Sequence, residues 1–242
     1  WATQFAQHVE IAAHLCEDYP DAGTHIIDVR LYPGEKITWL EAAIVAARQL
    51  DNPAAEGVHI GNLGLAFADL GQHKRAIALF KERLKTAHEL GDRSAEAQAL
   101  GNLGNSYEVL GDIRQGLDYH EQDLAITREL GDKRGEATSL MNIGISQNSL
   151  GEINTSLECY KQALTIFEDL NDYLGKSKVL INWGASYAQI GELASARECY
   201  EDALSLTRTI GDRGSEAVLL GNLGDLYSNL GNFHRAEEIF IQ

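Results

Sequence analysis

The chain has 242 residues, among them 23 glycines, 3 prolines and 3 cysteines, and a net charge of −16. No apolar run approaches the roughly 20 residues of a membrane-spanning helix, and no charged-then-apolar leader opens the chain. The acidic balance argues against nucleic acid and anionic membrane as partners, because both need clustered Lys and Arg to displace counterions. Three cysteines, Cys16, Cys159 and Cys199, cannot build a disulfide framework, so the expected compartment is the reducing cytoplasm.

Residues 2–18 read as a helix with Phe5, Val9, Ala12, Ala13 and Cys16 on one face. Residues 21–34 have poor helical spacing and end on the breaker Pro33-Gly34. Residues 36–50 read as the second helix of a degenerate repeat, since Leu40, Leu50 and Glu56 fall one 40-residue period before Phe80, Leu90 and Glu96. The stretch 1–60 is therefore expected to be an irregular helical N-terminal cap or degenerate repeat.

From residue 61 the sequence runs on a 40-residue ruler. Gly64, Gly104, Gly144, Gly184 and Gly224 form one glycine series, and Gly71, Gly111, Gly151, Gly191 and Gly231 a second. Gly61, Gly101 and Gly221 make a third, and Gly91, Gly131 and Gly211 a fourth. The units are expected at 61–100, 101–140, 141–180 and 181–220, with a truncated fifth at 221–242. Within 91–130, Gly91 suits a left-handed helix end and Asp92 an N-cap, with Glu96 in the first turn complementing the helix dipole. Leu100, Leu103, Gly104, Tyr107 and Leu110 then share one helical face. Gly111 stops that helix, and Ile113, Leu117, His120, Leu124 and Leu130 pattern the next as far as Gly131-Asp132. Each unit is thus a helix, a tight turn, an antiparallel helix and another tight turn.

A mid-helix glycine costs about 1 kcal/mol against alanine, so its recurrence at 64, 104, 144, 184 and 224 implies a need for small size. The expected counterparts on the second helix are Ala76, Gly116, Ser156, Ala196 and Ala236. Cys159 and Cys199 stand one period apart at a position also held by Leu79, Tyr119 and Ile239, and read as small core hydrophobes. His120 occupies a core aromatic position and reads as packing.

A Leu-Gly-x-x-Tyr/Phe-x-x-Leu-Gly first helix and an Ala-x-x-x-Tyr/Phe second helix resemble the tetratricopeptide repeat. The departure is length: the ordinary repeat has about 34 residues and ends on proline, whereas this one ends on Gly-Asp. The longer form is similar to Pins-type polarity adapters, kinesin light chains and the C-terminal arrays of bacterial signal-transducing NTPases with numerous domains (STAND). The resemblance implies an all-α fold, an α-solenoid of antiparallel helix pairs wound as a right-handed superhelix. It also implies a protein-interaction module, with a protein or peptide as ligand and no enzymatic activity of its own.

The residues agree with that reading in carrying no catalytic, metal or cofactor constellation. His120-Glu121 lacks a second histidine, and the recurrent Gly-x-x-Gly lies within helices with no preceding strand to form a phosphate loop. Asn62, Asn102, Asn142, Asn182 and Asn222 hold one mid-helix position in all five units, although asparagine is a poor helix former. They are expected on the concave groove, where two roles are open: an inter-repeat ladder, or a row of amides for the backbone of an extended ligand. Asp69, Asn105, Glu108, Lys178 and Asp225 are expected beside them, with Leu65, Val109, Ile145, Asn148, Ser149, Ala185, Gln189 and Asn229. Lys178 is the one cation in that set, which disfavours a clamp for a C-terminal carboxylate.

The chain lacks an initiator methionine and stops within a second helix, so it reads as an excerpt of a longer polypeptide. The preferred reading is the sensor array of a STAND-type NTPase, with a nucleotide-binding module of the same longer chain as a second partner. The alternative is a free-standing Pins-type adapter for extended peptides. A Gly-x-x-x-x-Gly-Lys-Ser/Thr motif upstream in the full gene separates the two.

Overall fold

The computed structural model describes residues 33–240. The helix expected over 2–18, with Cys16, and most of the irregular stretch 21–34 lie outside the described residues. Those described form eleven α-helices and no strand. Helix α1 (Pro33–Gln49) precedes four complete pairs: α2 (Pro53–Asp69) with α3 (His73–Leu90), α4 (Arg93–Val109) with α5 (Ile113–Leu130), α6 (Lys133–Ser149) with α7 (Ile153–Asp169), and α8 (Tyr173–Gln189) with α9 (Leu193–Ile210). Helices α10 (Arg213–Asn229) and α11 (Phe233–Phe240) form the last pair. The fold is an all-α solenoid of antiparallel helix pairs. It divides into two compact units at Ile126/Thr127, within α5.

The first helices begin at Pro53, Arg93, Lys133, Tyr173 and Arg213. Helix pairs therefore start eight residues before the windows 61–100 and so on, whose glycines mark mid-helix. Helix α2 accordingly begins inside the stretch expected to be irregular. Its N-cap is Asn52, whose side chain accepts from the Ala55 N–H at 3.2 Å, and Pro53 sits where its missing N–H costs nothing. Asp92, Asp132, Asp172 and Asp212 cap the other first helices in the same way.

The residue before each of these caps is left-handed. Gly91, Gly131 and Gly211 have φ of 69°, 68° and 74°, and Asp51 and Asn171 take their place with φ of 52° and 53°. Short polar side chains tolerate this region, so Asp-Asn and Asn-Asp make the same turn as Gly-Asp.

Four of the mid-helix glycines face rings on the second helix. A Cβ on Gly64 would lie 2.5 Å from the Phe80 ring, one on Gly144 2.6 Å from Tyr160 and one on Gly184 2.6 Å from Tyr200; Gly104 faces His120 in the same manner. Each ring is fully or almost fully buried. Of the small counterparts expected on the second helix, Gly116 lies against the first, where an added Cβ would stand 3.0 Å from the Gly104 carbonyl oxygen.

In the first unit, Leu40 and Ile44 of α1 pack with Ile60, Leu63 and Phe67 of α2 and with Ile77 and Phe80 of α3. In the second, Leu180, Tyr200, Leu219, Leu223, Leu226 and Ile239 form the core. Cys159 and Cys199 are half-buried, and burial pushes the Cys199 thiol up to about 11, which keeps it protonated and inert at neutral pH. His120 is fully buried with its Nε2 3.8 Å from Glu108 Oε1.

Candidate functional site

Each first helix buries one side and leaves another open. Along α4 the exposed positions are Ser94, Gln98, Asn105 and Val109, with half-buried Asn102 between them. Their spacing, four, four, three and four residues, keeps them on one side of the helix. The same columns recur in every first helix, and comparison within the chain separates them sharply. The column of Asn105 reads Leu65, Asn105, Ile145, Ala185 and Asp225; that of Val109 reads Asp69, Val109, Ser149, Gln189 and Asn229. The columns nearer the helix start, which sequence reasoning largely passed over, read Ala54, Ser94, Arg134, Leu174 and Gly214, and Val58, Gln98, Thr138, Lys178 and Val218. Only the column Asn62, Asn102, Asn142, Asn182 and Asn222 is constant.

All five asparagines are half-buried. Asn182 Nδ2 donates to the Lys178 carbonyl of its own helix at 3.0 Å. The side-chain amides of Asn62, Asn102, Asn142 and Asn222 make no hydrogen bond among the described residues. The inter-repeat ladder is therefore not built from this row. In the second unit the link between first helices lies elsewhere: Asn148 Nδ2 donates to Gln189 Oε1 at 3.0 Å, and Arg134 pairs with Asp172 at 2.8 Å.

Asp69, Asn105, Lys178 and Asp225 are exposed on the open sides of their helices, as are Leu65 and Val109, the latter 65% exposed. Glu108 departs from the expectation. It turns toward α5, where its Cγ crowds Gly116 and its carboxylate approaches His120, so it belongs to the packing within its pair. Arg134 adds a cation to the open face that the sequence reading left out, and Asp172 neutralises it. The face thus presents amides, small and apolar groups and few net charges.

Among the described residues no group of three or more His, Cys, Asp and Glu side chains could hold a metal ion, and no helix is long and apolar enough to cross a membrane.

Family profiles described as tetratricopeptide repeat match residues 60–94, 95–169 and 176–242. No curated protein matches the chain in sequence. Among solved structures, BtubC (BKLC) from P. vanneervenii superposes with a TM-score of 0.73 at 22% identity, covering 86% of this chain and 88% of that one. A STAND protein with a tetratricopeptide repeat sensor from Pyrococcus horikoshii gives 0.73 at 16% identity, covering 98% of this chain and 36% of its own. The apo quorum sensor NprR from B. thuringiensis gives 0.70 at 17% identity, covering 96% and 65%. At such identities the likeness is one of fold.

Proposed function

The chain belongs to the tetratricopeptide repeat family, and on that premise we propose that it is a protein–protein interaction array whose first helices hold an extended polypeptide. The observation that carries this reading is the constant asparagine column among variable neighbours. A residue that costs up to about 0.7 kcal/mol in a helix interior recurs five times in this chain, with four of its side chains unbonded among the described residues. An amide carries both a donor and an acceptor, which is what the backbone of an extended segment presents at every residue. The constant column reads backbone, and the variable columns read side chains.

Each such hydrogen bond contributes about 1 kcal/mol, so Asn142→Ala/Asn182→Ala/Asn222→Ala is expected to weaken binding by about 100-fold. The melting temperature stays level or rises, because alanine is the better helix former. Panning a phage-displayed library of random linear peptides against the wild-type chain supplies the ligands. Equal affinity of the selected peptides for wild type and triple variant would refute the asparagine row as the grip.

We propose further that the array is the sensor part of a larger STAND-type NTPase, with a nucleotide-binding module of the same chain as its second partner. Support comes from the long repeat with Gly-Asp turns and from the P. horikoshii protein, of which this chain spans about a third in length. The expected finding is a Gly-x-x-x-x-Gly-Lys-Ser/Thr motif encoded upstream in the full gene; its absence would favour a free-standing adapter.

A further inference from the structure

The first unit carries a second recess, on the far side of α4 from the asparagines. It is a cleft of about 570 Å³ between α3 and α5, floored by Leu84, Leu100 and Ile126. Leu100 and Ile126 are otherwise buried, so the floor is an opening into the core. Lys81 and Lys85 of α3 and Arg93 of α4 line its rim. The carboxylate of Glu96 also faces it and is held between Arg93 and His88 Nδ1, the latter at 3.3 Å.

Two features set this cleft apart from the repeat pattern. Residues 61–100 are the one repeat window in which Lys and Arg outnumber Asp and Glu, in a chain of net charge −16. One, two and three periods on from Lys81 and Lys85 stand Glu121 and Ala125, Lys161 and Thr165, and Glu201 and Ser205. The equivalent recess in the second unit, about 510 Å³, is lined by Glu201, Leu204, Ser205 and Arg208 and lacks the lysine pair. The recess occurs at both places, and the lysine pair makes this one basic. Lys85 Nζ lies 3.7 Å from Glu89 one turn on, and Lys81 Nζ lies 5.5 Å from the centre of the Tyr107 ring, so both amines stand at the exposed rim.

We infer that this cleft binds an acidic peptide segment, with an apolar side chain seated on Leu84, Leu100 and Ile126 and flanking carboxylates on Lys81 and Lys85. The size is that of a ligand pocket. The lining contains no Phe, Tyr or Trp on which a base could stack, and its one ring, His88, is engaged with Glu96. The acidic surface around it repels polyanions and anionic bilayers, while a short acidic segment meets only the local basic rim. Because this site is separate from the asparagine face, the array can hold one partner segment on each side.

The test is fluorescence anisotropy at low salt with a labelled short peptide of repeated Asp-Glu-Leu. Saturable binding is expected, with Lys81→Glu/Lys85→Glu weakening it at least about tenfold. The charge-matched control Lys74→Glu/Lys161→Glu, at exposed positions outside the cleft, is expected to change it less than about twofold. A repeated Asp-Glu-Ser peptide, lacking the apolar anchor, binds several-fold more weakly, and methyl resonances of Leu84, Leu100 and Ile126 shift on titration of the leucine peptide. The asparagine triple variant keeps full affinity, which separates this site from the proposed groove. Equal losses in the two charge variants, absence of saturable binding, loss in the asparagine variant, or binding only to anionic vesicles or polyuridylate would overturn the proposal.

Discussion

Gly144→Ala is expected to destabilise the chain by about 2 kcal/mol, although alanine is the better helix former by about 1 kcal/mol. The reason lies across the helix pair. A Cβ at this position would stand 2.6 Å from Tyr160 Cε1, and Tyr160 is 1% exposed in a packed interior. The ring cannot step aside without leaving its own rotamer or pushing α7 away from α6, and overpacking of this kind costs about 1–3 kcal/mol. Gly61→Ala reverses the sign. An added Cβ there meets only the flexible Arg83 stem, at 3.7 Å, which is ordinary contact, so the propensity gain of about 1 kcal/mol survives. Urea unfolding midpoints of the two variants are the measurement. Two shifts in the same direction would show that the mid-helix series is not there to seat the rings.

Why the glycines recur was legible in the sequence; what they make room for was not. Helical periodicity places Gly104 and Gly144 on the side of the first helix that meets its partner, and repetition shows that size matters there. It does not report how far the second helix is rotated about its own axis. That rotation decides how closely the Tyr160 ring presses on Gly144, and only the packed pair reveals it. The same gap misplaced Glu108, which helical spacing puts near the open face but which α5 draws inward. At the front of the chain the obstacle was chemical. Asp51-Asn52 makes the turn that Gly-Asp makes elsewhere, and Pro33, which reads as a breaker, opens a helix. The asparagine column stood out in the sequence because its recurrence needs no partner to be seen. The lysine pair of the second cleft gains its meaning only from the apolar floor supplied by α4 and α5.

Arg128→Glu is expected to cost about 2 kcal/mol, through a contact the sequence encodes and its helix-by-helix reading overlooks. The end of each second helix is tied to the first turn of the next first helix, eight residues on. Arg48 Nε pairs with Glu56 at 2.5 Å, His88 Nδ1 with Glu96 at 3.3 Å, Arg128 Nε with Glu136 at 2.9 Å and Arg208 Nε with Glu216 at 2.7 Å. The Glu136 side chain is only 11% exposed, and Lys133 adds a bond at 2.8 Å. Placing a second carboxylate at 128 leaves a largely buried charge beside a like one. Hydrogen bonds from Lys133 and Arg128 hold the Glu136 carboxyl below its ordinary value of 4.5. Its contribution is therefore full above that value and is lost as pH falls through the lower folded one, so wild type and Arg128→Glu converge in acid. In one repeat the signs are exchanged: Lys176 Nζ pairs with Glu168 at 2.6 Å, and Tyr173 stands where Arg93, Lys133 and Arg213 stand elsewhere. A simultaneous change at all three positions is what an interaction, and not a helix-end preference, requires. The exchanged pair also opposes both helix dipoles, each by roughly 0.3–1 kcal/mol. Glu168→Arg and Lys176→Glu should each destabilise alone, while the double variant should exceed wild type by about 1 kcal/mol. Thermal or urea unfolding of the four proteins completes the cycle, and simple additivity of the two single changes would show that the pair carries no coupling.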